Sequence, residues 1–126
     1  MATMHVELVS PERELWSGEA KSVFARTLEG ELGILPGHAP LFGALVHGGV
    51  VRIDEEDGES LSVAVRGGFL SVADNRVAVL TEWAELGTEV DVDAVRARLG
   101  ELGDDEDAKA DAELLRARLK AAGEEA

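Results

Sequence analysis

The stretch Val50-Val-Arg-Ile-Asp-Glu-Glu-Asp-Gly-Glu-Ser-Leu-Ser-Val-Ala-Val-Arg-Gly-Gly-Phe-Leu-Ser-Val-Ala-Asp-Asn-Arg-Val-Ala-Val-Leu80 decides the fold. Within it Leu61, Val63 and Val65 alternate with Ser62, Ala64 and Arg66, the period of a strand with one face buried and one wet. Asp54 to Ser60 is a polar, glycine-containing link that joins this strand to Val50–Ile53 as a hairpin. Gly67-Gly68 predicts a tight reversal into Phe69-Leu-Ser-Val. Asp74-Asn75 tolerates the left-handed backbone needed before Arg76–Leu80. Three successive strands then form a meander. Upstream, His5–Val9, Leu15-Trp16 and Ala20–Thr27 read as further strands. Many short strands with frequent turns predict an antiparallel sandwich or flattened barrel over residues 1–84.

Between these strands lies a run, Leu32–Val51, that contains no Asp, Glu, Lys or Arg. Its length suits a membrane span, but Pro36, Pro40 and the five glycines 33, 37, 43, 48 and 49 would leave backbone groups unpaired in lipid. The run therefore reads as turns between buried strands. Ordinary surface loops carry more charge, so Gly30-Glu-Leu-Gly-Ile-Leu-Pro-Gly-His-Ala-Pro-Leu41, with Glu31 its one charged residue, is either packed inside or an interface. Leu41, Phe42, Leu45 and Trp16 are expected in the core, as such residues usually are.

After Gly87 the period changes. Val92, Val95, Leu99 and Leu102 share one face of a helix, capped by Asp91 or Asp93. Gly100 and Gly103 weaken its end by about 1 kcal/mol each relative to alanine. Asp104-Asp-Glu-Asp107 then forms an acidic turn. A second helix runs from about Ala108 to Ala122 with Leu114, Leu115 and Leu119, its cations late in the sequence, where the helix dipole favours them. Residues 85–126 thus form a helical hairpin. Its apolar stripe is too thin for a separate domain, so it docks on the sandwich, docks on a partner, or stays partly mobile.

Composition narrows the function classes. The chain has 126 residues and 12 Lys+Arg against 26 Asp+Glu, a formal charge of −14. That charge repels phosphate backbones and anionic lipid, so neither nucleic-acid binding nor electrostatic membrane docking is expected. No cysteine is present, which removes disulfides, thiolate zinc sites and cysteine nucleophiles together. The first residues lack the basic flank and apolar stretch of an export signal. Three histidines, His5, His38 and His47, lack metal-ligand spacing, and no metal is expected. Gly33-Ile-Leu-Pro-Gly-His38 lacks the Lys-Ser/Thr of a phosphate loop, and no G-x-S-x-G elbow occurs. Nothing points to catalysis.

The Gly30–Leu41 segment resembles the corresponding part of the epsilon subunit of F-type ATP synthases. Supporting it, in the same order as in that family, are Leu15-Trp16-Ser17-Gly18, Gly48-Gly-Val-Val-Arg-Ile53, Gly67-Gly-Phe-Leu-Ser-Val72 and Val79-Leu80-Thr81-Glu82 followed by Ala84-Glu85. The resemblance covers residues 4–97 well and the tail in outline; length and acidity suggest an actinobacterial version. It implies a ten-stranded β-sandwich followed by a short α-helical hairpin. It also implies a non-catalytic central-stalk rotor subunit that links the gamma subunit to the c-ring beneath the alpha/beta hexamer. Such a subunit couples proton transport to ATP synthesis and sits peripherally on the cytoplasmic side of the cell membrane, meeting the membrane only through the complex. By matching positions, Glu31, Leu32, Gly33, Ile34, Pro36, Gly37 and His38 are the expected c-ring and gamma interface. Turn geometry accounts for the glycines and Pro36 equally well, and His38 is as well explained by a buried, hydrogen-bonded imidazole.

In some relatives an I/L-D-x-x-R-A motif binds ATP and holds the hairpin folded. Val92-Asp93-Ala94-Val95-Arg96-Ala97 resembles it, so Glu82, Asp93, Arg96 and Ala97 are the candidate nucleotide contacts. A capped amphipathic helix shows the same residues, and the glycine breaks, the acidic connector and Trp83 favour that reading. No cofactor is therefore expected beyond weak ATP binding. The short acidic tail also argues against strong restraint of ATP hydrolysis. The alternative to a rotor subunit is a free-standing nucleotide-sensing module, which would purify alone.

Overall fold

The computed structural model describes residues 2–124; Met1 and residues 125–126, the outer ends of the two expected domains, lie outside the described residues. The strands are β1 (Met4–Val9), β2 (Glu14–Thr27), β3 (Gly30–Ile34), β4 (Leu41–Ala44), β5 (Gly49–Glu55), β6 (Ser60–Val65), β7 (Phe69–Ala73), β8 (Arg76–Leu80) and β9 (Ala84–Leu86). A 3-10 turn over Gly87–Glu89 leads to helices α1 (Val92–Glu101) and α2 (Glu106–Ala121). Nine strands stand among the described residues where the resemblance implies ten. β9 runs across the boundary drawn at residue 84.

The strand order is β4-β7-β8-β1-β2-β5-β6-β9, with β3 also on β2, and the path does not close. β2 turns this path into a sandwich. Its residues Glu14–Ala20 pair with β1, whereas Ala20–Phe24 pair with β5 and Val23–Thr27 with β3. The two pieces read separately from the sequence, Leu15-Trp16 and Ala20–Thr27, are thus one 14-residue strand shared by both layers. Its register with β5 shifts between Ala20 and Ser22. One core lies between the layers, with Val6, Leu8, Val23, Ile34, Val51, Ile53, Leu70 and Val79 fully buried. At about 25 cal/mol per Å² of apolar surface, each contributes roughly 1.5–3 kcal/mol.

Three features differ from the sequence reading. β7 and β8 form the expected hairpin through Asp74 (φ 52°) and Asn75 (φ 62°), but β6 pairs with β5 and β9 and not with β7, so there is no three-strand meander. Gly67 and Gly68, with φ of 67° and 114°, carry the chain from one layer to the other. A Cβ on Gly68 would lie 2.0 Å from the Leu80 carbonyl oxygen, so only glycine makes this crossing. β1 and β8 run parallel, unlike every other pair. About seventy residues separate them in sequence, which supplies the long crossover a parallel pair needs.

The third difference is the outer face of the β5–β6 hairpin, expected to be wet. Ala64, on that face, is fully buried beneath α2 in a cluster with Ala117 and Ala121, flanked by Val50 and Trp83. The helix comes close because glycines let it: a Cβ on Gly48 would lie 2.7 Å from the Glu113 carbonyl carbon, and one on Gly87 2.0 Å from the Ala121 oxygen. α1 then packs on the far side of α2 through Val95, Leu115 and Leu119. Asp91 accepts from the Ala94 amide at 3.1 Å and Asp105 from the Ala108 amide at 2.7 Å, capping the two helices.

Candidate functional site

The segment Gly30–His38, uncharged apart from Glu31, divides into a packed half and a presented half. β3 lies against the end of β2, where Ile34 pairs with Val23, Gly33 with Phe24, Leu32 with Ala25 and Glu31 with Arg26. Ile34 is fully buried and Leu32 packs against the same core. Ile34 therefore has no surface to offer a partner. Gly33 is exposed, and a Cβ there would come within 3.1 Å of the Phe24 ring, so its residue type is explained by strand packing rather than by a turn. Glu31 is exposed on the same strand.

Beyond Ile34 the chain turns over Leu35–His38, closed by the His38 amide donating to the Leu35 carbonyl at 3.1 Å. Gly37 adopts φ 81°. Its amide donates to Asn75 Oδ1 at 2.9 Å, and Asn75 Nδ2 donates to the Thr3 carbonyl at 2.8 Å. The turn is thereby tied to the tip of the β7–β8 hairpin and to the start of β1. His38 is half-buried, with Nδ1 2.7 Å from the Ala39 carbonyl, which orients the ring. Leu35, at 61% exposure, projects from the turn. Asn75 was legible only as a turn residue; its role as the clamp on the Gly37 amide depends on two hairpins meeting at one end of the sandwich.

A second exposed apolar group lies on the β4–β7–β8 face. Phe42 and Phe69 stack with ring centroids 5.3 Å apart, and Leu80 sits opposite Phe69 in the β7–β8 register. Leu45 is in the core and Leu41 packs against it, as expected, whereas Phe42 is 69% exposed because it alternates onto the outer face.

The four candidate nucleotide contacts make no hydrogen bond or ion pair with one another among the described residues. Asp91, not Asp93, caps α1. Asp93, Arg96 and Ala97 are exposed on α1, and Arg96 donates to Glu124 at 2.8 Å. Glu82 is exposed beside Gly67, on the loop between β8 and β9. Trp83 packs against the alanine cluster under α2 with the Arg118 guanidinium 5.8 Å from its ring centroid.

The hairpin is also clasped by charge. Arg118 donates from Nε to Glu85 Oε1 at 2.7 Å, a pair with side chains only 25% and 18% exposed. Arg13, just before β2, grips Glu89 of the 3-10 turn, with Nη1 to Oε2 at 2.9 Å, while Glu89 also accepts the Leu86 amide at 3.0 Å. Hydrogen bonding from Arg13 holds the Glu89 carboxyl below the usual carboxylate range against the opposing push of burial.

With this geometry in hand, the profile described as ATP synthase, Delta/Epsilon chain, beta-sandwich domain matches residues 3–87. The chain belongs to the ATP synthase delta/epsilon family. Among curated members of that family, it is 53% identical to the ATP synthase epsilon chain of Rhodococcus jostii over 96% of this chain and 97% of that one. It is 46% identical to the epsilon chain of Mycolicibacterium smegmatis over 98% of both. A chain in the Euglena gracilis mitochondrial ATP synthase OSCP/F1/c-ring structure shares the fold, with TM-score 0.76 at 24% identity over 97% of this chain and 82% of that one. No helix among the described residues is long and apolar enough to cross a membrane.

Proposed function

We propose that this chain is a non-catalytic central-stalk subunit of a proton-translocating F-type ATP synthase, linking gamma to the c-ring and held on the cytoplasmic side of the cell membrane only through that complex. The observation that carries the reading is the match to curated epsilon chains along nearly the whole length of both partners. The turn Leu35–His38 supports it, because a rotor must pass torque through a contact that does not deform. Here the contact is an uncharged turn cross-linked by Asn75 to a second hairpin. Glu31, Pro36, Gly37 and His38 form the interface with the c-ring loops and gamma, with Leu35 added to them and Ile34 acting from behind as core.

The docked hairpin is the element that tunes ATP hydrolysis, since it is seated through small residues and two ion pairs rather than a deep core. Purification from gently solubilised membranes through a tag on this chain tests the assignment. Co-purification of gamma, the c-subunit and the alpha/beta hexamer is expected, and recovery of a lone soluble monomer would overturn it. Glu31→Lys and His38→Trp are expected to weaken assembly or coupling while leaving the isolated chain folded; normal coupled synthesis in both variants would remove the turn from the interface.

A further inference from the structure

Among the described residues His5 is the only histidine with a carboxylate at each ring nitrogen: Nδ1 lies 3.2 Å from Glu19 Oε2 and Nε2 lies 3.3 Å from Glu7 Oε1. Glu19 is opposite His5 in the β1–β2 register, and Glu7 is two residues along the same face of β1. On the other flank β8 places Arg76 opposite His5, and Arg76 makes no ion pair among the described residues. Glu7, Glu19 and Arg76 are thus the charged groups that β1, β2 and β8 set around the ring. An imidazolium carries two N–H donors and serves both carboxylates at once. A neutral ring has one proton for two carboxylates, and its lone pair then opposes whichever is left. Imidazoles exchange these two states between about pH 5 and 8.

Glu19 carries this charge state onward. Its second oxygen, Oε1, accepts from Thr3 Oγ1 at 3.0 Å. The Thr3 carbonyl accepts from Asn75 Nδ2 at 2.8 Å, and Asn75 Oδ1 accepts from the Gly37 amide at 2.9 Å. The His5 amide also donates to the Asn75 carbonyl at 3.2 Å. The start of β1 therefore holds Asn75 twice, through the Thr3 carbonyl and the His5 amide, and Asn75 holds the turn. Met4, between those two residues, is buried in the core and fixes the backbone from which both act. Within the turn itself the closure is the single bond from the His38 amide to the Leu35 carbonyl, so the tie through Asn75 is a large part of what orders it.

From this we infer that Glu19, Thr3 and Asn75 are positioning residues for the Leu35–His38 turn, and that the charge on His5 sets how firmly they hold it. With the ring cationic, Glu19 is pinned between His5 and Thr3 and the relay is tight. With the ring neutral, Glu19 keeps its partner only in the tautomer protonated at Nδ1, and the hold on Thr3 slackens. The contribution of the cation is complete at the acid end of the imidazole range and is lost as pH rises through it. That the turn meets gamma and the c-ring rests on the function proposed above; the relay and its pH dependence belong to the chain alone.

Amide exchange and side-chain amide shifts of the full chain, followed by NMR between about pH 5 and 8, test the inference. The protection factor of the Gly37 amide is expected to fall about 2- to 5-fold across that range, the worth of an exposed ion pair, with the Asn75 side-chain amide shifting along the same curve. His5→Gln is expected to flatten both curves. Glu19→Gln keeps an acceptor for Thr3 but offers His5 no charge, and should flatten them as well. Asn75→Gly tolerates the positive φ while removing the clamp, so Gly37 protection should drop by up to about 10-fold at every pH with the β7–β8 cross-strand bonds intact. His38 is a second imidazole within the turn, and the His5→Gln comparison separates the two. An unchanged pH profile in His5→Gln would assign the effect to His38 and overturn the inference, as would unaltered Gly37 protection in Asn75→Gly. A relay that behaves as expected beside normal assembly and coupling in Glu31→Lys and His38→Trp would uphold the inference and remove only the turn's place in the interface.

Discussion

Between the layers of the sandwich, the interior is filled by Leu8, Ile34, Ile53 and Leu70, branched side chains with no exposed surface. Under α2 the contact is made by Ala64, Ala117 and Ala121, with Gly48 and Gly87 allowing backbone to approach backbone. The first kind of packing removes a large apolar area from water and holds through many contacts. The second removes little area and depends on fit, helped by the Arg118–Glu85 and Arg13–Glu89 pairs. A fold built this way has a body that cannot easily open and an arm whose seat a small perturbation can disturb.

The largest effect should come from cutting into the body. Leu8→Ala or Ile53→Ala is expected to lower the stability of the whole chain by about 2–5 kcal/mol, read from urea unfolding; a loss under 1 kcal/mol would mean that the sandwich core relaxes as readily as the seam. Next is the seat itself. Gly87→Val drives a side chain into the Ala121 carbonyl and is expected to destabilise docking by about 1–3 kcal/mol. Amide exchange should then accelerate in α1 and α2 and stay slow in β1 and β5. Uniform acceleration would show that body and arm unfold as one unit.

Charge enters below these. Arg118→Ala is expected to cost about 1 kcal/mol, confined to hairpin protection, since the pair is partly exposed. Acid should act on the same joint. The Glu89 carboxyl is held below its ordinary value of 4.5 by Arg13, so its stabilising contribution is complete above that value and is lost as pH falls through the depressed one. Asp54, in the body, behaves alike: burial pushes its carboxyl up, but hydrogen bonds from Ser22 and Ser60, both at 2.7 Å, and the nearby Arg52 pull it further down. Hairpin protection that declines below about pH 4.5 in the parent chain and declines less steeply in Arg13→Gln would match; identical acid profiles would show that Glu89 does not clasp the arm. The smallest effect belongs to Arg96→Ala, which removes an exposed pair with Glu124 and should change stability by no more than a few tenths of a kcal/mol.

Period-two patterning located the strands because alternation is a local property. It also picked out the β7–β8 hairpin, where Asp74 and Asn75 are chemically suited to positive φ. The same patterning misassigned the outer face of β6, since alternation says which residues share a face and says nothing of what later covers it. Ala64, small and uncharged on a face otherwise polar, was the available signal for a close-packed helix. Phe42 went astray for the related reason that size and apolarity do not specify a side of the sheet. In the uncharged segment, the family resemblance joined Ile34 to Pro36 and His38 as one interface, whereas the register of β3 turns Ile34 into the core.

The amino-acid sequence by itself determined most of the strands, the two helices, the α1 cap as one of two aspartates, the uncharged turn and the family, because each depends on residues a few positions apart. Tertiary structure alone decided that β1 and β8 run parallel, that Gly67 and Gly68 cross between layers, that Asn75 clamps Gly37, and that α2 covers Ala64. These relations depend on how segments far apart in the chain come together. They arise from how the two layers close on their common core and where α2 then comes to rest, and no local period encodes that.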